Sequence, residues 1–383
     1  MSDFASVVEF IRSQFPRSDT VPLHAPSFGP EERHNLLECL DSTMVSTIGP
    51  FVDRFESEVA RLSGRRYGIA VINGTVALQM ALRAAGVKEG DEVLTQPLTF
   101  VATANAIVHS GAHPVFIDVE RESLGLDPDS LQLYLERNSE VIQGRRVSKQ
   151  TGRRIAACVP VHVFGHPCRI DRIAEICSAF AIPLVEDAAE ALGSTYLGRP
   201  CGSFGSLAAF SFNGNKIVTA GGGGVVVTDD ESCAKWLKHI TTVAKIPHPW
   251  EYDHDEVGFN YRLPNINAAL VVGQLSRFAE ILVKKRHLAQ NYLDFFTGLG
   301  MAGVREPDGA RSNYWLNSLL TKNVGERDQM LKTMVDHGVM GRPAWRLMHK
   351  LPMYASSPRS SLTNAEWLEE RLVALPSSTP LSN

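Results

Sequence analysis

Short apolar runs alternate with amphipathic stretches through the first two-thirds of this sequence, and that alternation predicts an architecture. YGIAVIN (67–73) precedes GTVALQMALRAAGV, whose apolar positions recur at helical spacing. DEVLTQP (91–97) leads into the helical TFVATANAIVHSGA and then HPVFIDV (113–119). RIAACVPVHVFG (154–165), the helical CRIDRIAEICSAFA and IPLVEDAA (182–189) continue the series, and AAFSFN (208–213) and GGVVVTDD (223–230) close it. Near-continuous β-branched runs separated by helices predict a mainly parallel sheet covered on both faces.

After about Asn260 the pattern changes. NINAALVVGQLSRFAEILVKKRHLAQNYLDFF reads as one long amphipathic stretch, and RDQMLKTMVDHG and AEWLEERLVAL then alternate with short extended pieces such as NYWLNSLL. This predicts a large α/β domain over 1–262 and a smaller C-terminal α+β domain over 263–383. Phe4, Val7, Val8, Ile11 and Phe15 follow a helical period, so the large domain opens with a helical segment, 1–15. SKQTGRR (148–154) and PMYASSPRSS (352–361) read as surface loops.

At 383 residues, 44% apolar and 21% charged, the chain can bury a sizeable core. A formal charge of −4 gives no electrostatic case for nucleic acid or an anionic membrane. Six scattered cysteines without a CxxC pair suit a reducing compartment. Asp3, Glu9 and Arg12 interrupt any signal-peptide core, and no window reaches about 18 apolar residues. The expectation is a cytoplasmic protein. No metal site is expected: His162 and His166 in HVFGH lack further ligands at metal spacing, and DHDE (253–256) lacks the glycine and spacing of an EF-hand.

In an open α/β sheet, ligands bind beyond the carboxyl ends of the strands. Four polar or aromatic features fall there. Asn73-Gly74-Thr75 opens a helix, where free N–H groups suit a phosphate; a tight turn capped by Thr75 is the alternative. Glu186-Asp187 ends IPLVED; it suits a metal, a base, a protonated ring nitrogen or simply an N-cap, with Glu190 nearby. Phe100, in QPLTFVATAN, suits a stacking surface or core packing. Lys216, in FSFNGNKIVTAGGGG with Ser211 five residues before it, sits between apolar residues and glycines. In such a setting a lysine can lose its proton and act as an amine nucleophile, or bury its stem and snorkel. The glycines lack P-loop spacing, and a GxGxxG after the first strand is absent, which disfavours a nicotinamide enzyme. Together, phosphate cradle, aromatic, carboxylate and lysine are the parts that a pyridoxal phosphate enzyme requires.

At this point the sequence resembles the DegT/DnrJ/EryC1/StrS sugar aminotransferases. VEDAAEALGSTYLGRPCGSFGSLAAFSFNGNKIVTAGGGG carries the resemblance, with VINGTVALQMALRAAGVKEGDEVLTQPLTFVATANAI, VHVFGHPCRID and GFNYRLPNINAAL. It implies the fold-type I (aspartate aminotransferase-like) architecture, pyridoxal 5′-phosphate as cofactor, a nucleotide-linked keto sugar as acceptor and glutamate as amino donor. The combination TGRRIAACVPVHVFGHPCRID, FSFNGNK and KIPHPWEYDHDEVGFNYRLPN is most similar to the LegC-like branch. That branch implies amination at C4 of a UDP- or GDP-linked 4-keto-6-deoxy-N-acetylhexosamine for legionaminic-acid-type sugars. Perosamine- or bacillosamine-type substrates, or a non-catalytic binding regulator, are the alternatives. By resemblance Lys216 is the Schiff-base lysine and Asp187 the partner of the ring nitrogen. Phe100 stacks, Gly74, Thr75 and Ser211 contact phosphate, and Glu190 lies near the ring hydroxyl. Asn260, with Arg262 as the competing choice, reaches a partner subunit's phosphate, which implies a homodimer with shared active sites.

Overall fold

The computed structural model describes residues 3–16 and 19–379. The first two residues of the expected 1–15 helix lie outside these, and the helix itself runs Asp3–Gln14.

Seven strands form the central sheet. Tyr67–Val71 pairs with Gly224–Thr228, which pairs with Leu207–Ser211, which pairs with Val185–Asp187. Parallel bridges Cys158↔Leu184 and Val161↔Asp187 join this group to Ile155–Val159, and Glu92–Thr95 and His113–Phe116 continue it in parallel. Only Gly224–Thr228 runs against the rest. The sheet is therefore mainly parallel, as expected, and the carboxyl ends of its other strands share one side.

Strand alternation explains why both faces are covered. Ala208, Phe210, Val225 and Val227 face one cluster with Phe51, Phe55 and Val59 of the helix Pro50–Leu62. Leu207, Ala209 and Val226 face another with Leu78, Met80 and Leu82 of the helix Gly74–Ala84. Neighbouring residues thus serve opposite layers.

The long stretch after Asn260 is two helices, Asn265–Ser276 and Phe278–Gly298, bent by 64° at Arg277. Arg277 is held there by Glu32, with Nη2 2.9 Å from Oε1. No single helix among the described residues is long and apolar enough to cross a membrane; the bent pair passes only by length and composition.

Packing runs across the expected cut at 262/263. Ala268, Ala269, Val271 and Val272 belong to the same core as Phe51 and Phe212. The N-terminal helix, expected with the first domain, instead buries Val7, Val8 and Ile11 against Leu288, Tyr292, Leu319 and Met334. That second core lies beside a small antiparallel sheet ordered Ala302–Gly303, Asn317–Leu320, Leu372–Leu375, Arg342–Pro343.

Two segments read as loops do more. Ser148 closes a hairpin, Ser139–Ile142 with Arg145–Ser148. The segment 352–361 covers the open edge of His113–Phe116, with Phe116 N–H donating to Pro358 O at 3.0 Å and Ser360 N–H to Phe116 O at 2.9 Å. A covered edge cannot pair with another chain.

Candidate active site

A cavity of about 680 Å³ opens at the carboxyl ends of the strands, and the C-terminal small sheet contributes part of its wall. Gly74, Thr75, Phe100, Asp187, Glu190, Ser211 and Lys216 all line it. These residues come from segments up to 142 positions apart (Gly74 to Lys216), brought together by the strand order.

At one end, the helix Gly74–Ala84 points its N-terminus at the cavity. Asn73, not Thr75, is the cap: its Oδ1 accepts from Val76 N–H at 2.9 Å. This leaves the first amides of the helix facing the cavity for an anion. Gly74 is required sterically, because a Cβ there would lie 2.6 Å from Ser211 Cβ. The glycine run 221–224 does not line the cavity. Gly224 instead lets its strand approach Asn73, whose carbonyl oxygen would lie 2.4 Å from an added Cβ. The run shapes the cradle from behind rather than touching a ligand.

Asp187 ends its strand with its carboxylate inward. Oδ2 accepts from Thr103 Oγ1 at 2.8 Å and Oδ1 from Ala189 N–H at 3.2 Å. Burial pushes its pKa above the ordinary carboxylate value, against these bonds and the charges of Lys216 and His162. It makes no ion pair among the described residues. Glu186, one residue earlier, faces the opposite way, as strand alternation demands.

Lys216 Nζ lies 3.2 Å from Glu190 Oε1 and 4.0 Å from the centroid of the Trp315 ring. The expected apolar setting is therefore incomplete: a buried carboxylate and an indole face flank the amine. Glu190 Oε2 accepts from Phe164 N–H at 2.8 Å, and burial raises its pKa, opposed by Lys216. Phe100 is 53% exposed at the cavity wall, with its ring centroid 6.4 Å from Trp345. An aromatic left open beside a cavity offers a surface for a flat ligand rather than core packing.

Asn260 is not brought to this cavity. It lies exposed, its Oδ1 accepting from Arg262 Nη2 at 3.1 Å. No group of three or more His, Cys, Asp or Glu suited to a metal occurs among the described residues.

Several wall residues escaped the sequence reading. Thr103 lies in the first turn of the helix Ala102–His109, and its hydroxyl meets Asp187, 84 positions away, only once the sheet has formed. Trp315, Trp345 and Arg342 come from the C-terminal unit and carry no local signal. Arg342 donates to its neighbour's carbonyl, Gly341 O, at 2.9 Å and makes no ion pair among the described residues.

The residues present fit a phosphorylated pyridine aldehyde. The helix N-terminus suits a phosphate, and the open phenyl suits a ring. The buried Asp187 carboxylate lacks a cation that a protonated ring nitrogen would supply, and the amine suits an aldehyde carbon. A mainly parallel sheet bearing that combination at its carboxyl edge defines the class, a pyridoxal phosphate-dependent aminotransferase.

Comparison with known proteins narrows the class. Residues 26–383 match the DegT/DnrJ/EryC1/StrS aminotransferase family, and the chain belongs to it. It is 34% identical over 363 residues to the GDP-perosamine synthase of Escherichia coli O157:H7, covering 95% of this chain and 94% of that protein. It is 36% identical over 340 residues to the GDP-perosamine synthase of Vibrio cholerae, covering 87% of each. Among solved structures it resembles DesI, determined in the presence of its TDP-sugar product. That likeness has a TM-score of 0.83 at 28% identity and covers 98% of this chain and 93% of that one.

Proposed function

We propose that this enzyme moves an amino group from glutamate to the C4 carbonyl of a nucleotide-linked 4-keto-6-deoxyhexose, acting as a homodimer. The observation that carries the reading is the cavity itself, in which the Lys216 amine and the Asp187 carboxylate share one wall with the Gly74–Ser211 cradle. Arg342, which lines the same cavity from the small sheet and is free of any ion pair among the described residues, suits an anionic substrate. The named products of two relatives, both GDP-perosamine, favour a GDP-linked acceptor without an N-acetyl group. The motifs similar to the LegC-like branch support the second reading, a UDP- or GDP-linked N-acetylhexosamine.

When bound, pyridoxal phosphate supplies an electron-withdrawing ring that stabilises negative charge on the substrate carbon losing its proton. The amides of Gly74 and Thr75 and the Ser211 hydroxyl would hold the phosphate. Phe100 would cover one ring face, and Asp187 would hold the proton on the ring nitrogen. Lys216 would anchor the aldehyde through Nζ and, once released, would take the proton at Nζ from the reacting carbon of the donor and, in a separate half-reaction, deliver one to the reacting carbon of the acceptor. Glu190, 3.2 Å from that amine, would orient it. Asn260, exposed beside Arg262, would reach the phosphate of a partner subunit.

The test is a purified enzyme whose visible absorbance is followed as glutamate is added, then each keto sugar nucleotide. Loss of the visible band with glutamate and its return with the GDP-linked acceptor is expected. Return only with an N-acetylhexosamine acceptor would select the second reading. No band after incubation with pyridoxal phosphate would overturn both.

A further inference from the structure

Behind the cavity lies a second lysine that the chemistry above does not use. Lys285, on the helix Phe278–Gly298, is fully buried. Its Nζ donates to Trp315 O at 2.7 Å and to Ser377 O, and it makes no ion pair with a carboxylate among the described residues. Burying an unpaired ammonium is costly, so such a residue is an expensive way to fill a core.

What it holds gives the reason. Trp315 belongs to the C-terminal unit, yet its indole Nε1 donates to Asn215 O at 2.7 Å, one residue before Lys216. The same ring covers Lys216 Nζ at 4.0 Å. One side chain therefore fixes both the backbone that carries the reactive lysine and the surface against which its amine rests. Trp315 has its carbonyl clamped by Lys285 and its own N–H satisfied by Asn313 Oδ1 at 2.8 Å. Ser377, the other carbonyl clamped, anchors the C-terminal segment to residue 23 through a 2.7 Å bond from its N–H to Leu23 O.

We infer that Lys285 is a positioning residue for Lys216: by clamping the Trp315 carbonyl it seats the indole that tethers Asn215 and covers the Lys216 amine. The clamp does not need a charge. Burial drives the Lys285 pKa well below its ordinary value, and a neutral amine still has two N–H groups for two carbonyl acceptors. Lys285 therefore acts through geometry. His24, buried at both ring nitrogens and beside Trp315 with ring centroids 6.3 Å apart, adds no acid to pair with it.

The inference rests on Lys216 anchoring the cofactor, and the test separates the two. Wild type, Lys285→Met, Trp315→Leu and the double variant are prepared as holoenzymes, and the visible band of the lysine–cofactor linkage is titrated against pH. An indole face favours a charged nitrogen over it. Loss of that cover should therefore move the midpoint of the protonated, coloured form to lower pH, by up to about one pH unit. In steady state, kcat should fall about tenfold with KM for glutamate within about twofold, because misplacing Nζ impairs proton transfer rather than binding. The double variant should be no worse than Trp315→Leu alone, since both changes remove one device. Additive losses, or a midpoint unmoved in Lys285→Met, would overturn the proposal. Should Lys285→Met not fold, Lys285→Gln, whose shorter side chain cannot span both carbonyls, replaces it and should move the midpoint in the same direction as Trp315→Leu but less far; an unmoved midpoint would overturn the proposal. A wild type without the band would instead sink the cofactor reading itself.

Discussion

Glu186 and Asp187 are neighbours on one strand, both buried carboxylates, and the sheet sends them to opposite fates. Glu186 points into the protein body and is fully met. It accepts from the amides of Gly202, Phe204 and Gly205 at 2.7, 2.7 and 2.8 Å and sits 3.1 Å from His162 Nε2. Burial disfavours its charge, yet His162 and the amides of Gly205 and Gly202 hold its pKa below the ordinary value. Asp187 points into the cavity with two donors and no cation, and burial raises its pKa. A satisfied carboxylate is finished structure, whereas an under-satisfied one is prepared for a partner. Two residues of equal charge and burial thus differ in what the surroundings leave undone.

The largest effect that could break this comparison belongs to the open face. Lys216→Ala should leave no measurable turnover. Asp187→Asn should lower kcat by about 10²–10³-fold, the scale for losing a preorganised electrostatic partner, while the cofactor-free protein stays at least as stable as wild type at pH 7. Glu186→Ala should show the converse: about 3–5 kcal/mol less stability, the cost of stranding a buried charged partner, with activity per folded molecule nearly kept. Denaturant melts alongside single-turnover rates would read both. If Asp187→Asn unfolded the protein and Glu186→Ala only slowed it, the division of roles would be reversed.

A smaller effect tests the cradle. Gly74→Ala places a methyl 2.6 Å from Ser211 Cβ, where two backbones leave little room to move. Overpacking of this kind costs about 1–3 kcal/mol, so cofactor loading should weaken about tenfold in an equilibrium titration. Wild-type affinity would mean that the helix start is not the phosphate site.

Much of this was readable along the chain because its signals are local. Strand ends mark where Asn73, Phe100, Asp187 and Ser211 must emerge, since a parallel sheet puts those ends on one side. The lysine between an apolar run and glycines also stands out without coordinates. The direction of Glu186 follows from alternation once its strand is known, although the sequence reading treated the two acids as one unit. What could not be read depends on contacts far apart in sequence. Trp315 lies 99 positions beyond Lys216 and reaches it only after the small sheet folds over the cavity. The N-terminal helix has an apolar face, but nothing in its spacing says which core receives it; Tyr292 and Met334 decide that. The bend at Arg277 is hidden because apolar periodicity continues across it, and the carboxylate that Arg277 meets there, Glu32, is distant in sequence.

The subtlest expected effect concerns proton linkage in the cofactor-free protein. Asp187 and Glu190 are both raised by burial. A carboxyl whose folded pKa exceeds its unfolded value binds more protons folded than unfolded, so stability falls as pH rises between those values. The window opens near the unfolded values, about 4, and closes at the folded ones; above it the penalty is constant. Each tenfold gain in proton affinity corresponds to about 1.4 kcal/mol. Asp187→Asn with Glu190→Gln should therefore flatten the fall in stability above pH 4, measured as the difference from wild type. Glu56, Glu92 and Glu120, also raised by burial, contribute equally to both proteins and cancel. Loading the wild type with cofactor should flatten the same slope, because a cation opposite Asp187 favours its charged form. A slope that the double substitution flattens but the cofactor does not would keep the burial argument and remove Asp187 as the ring partner.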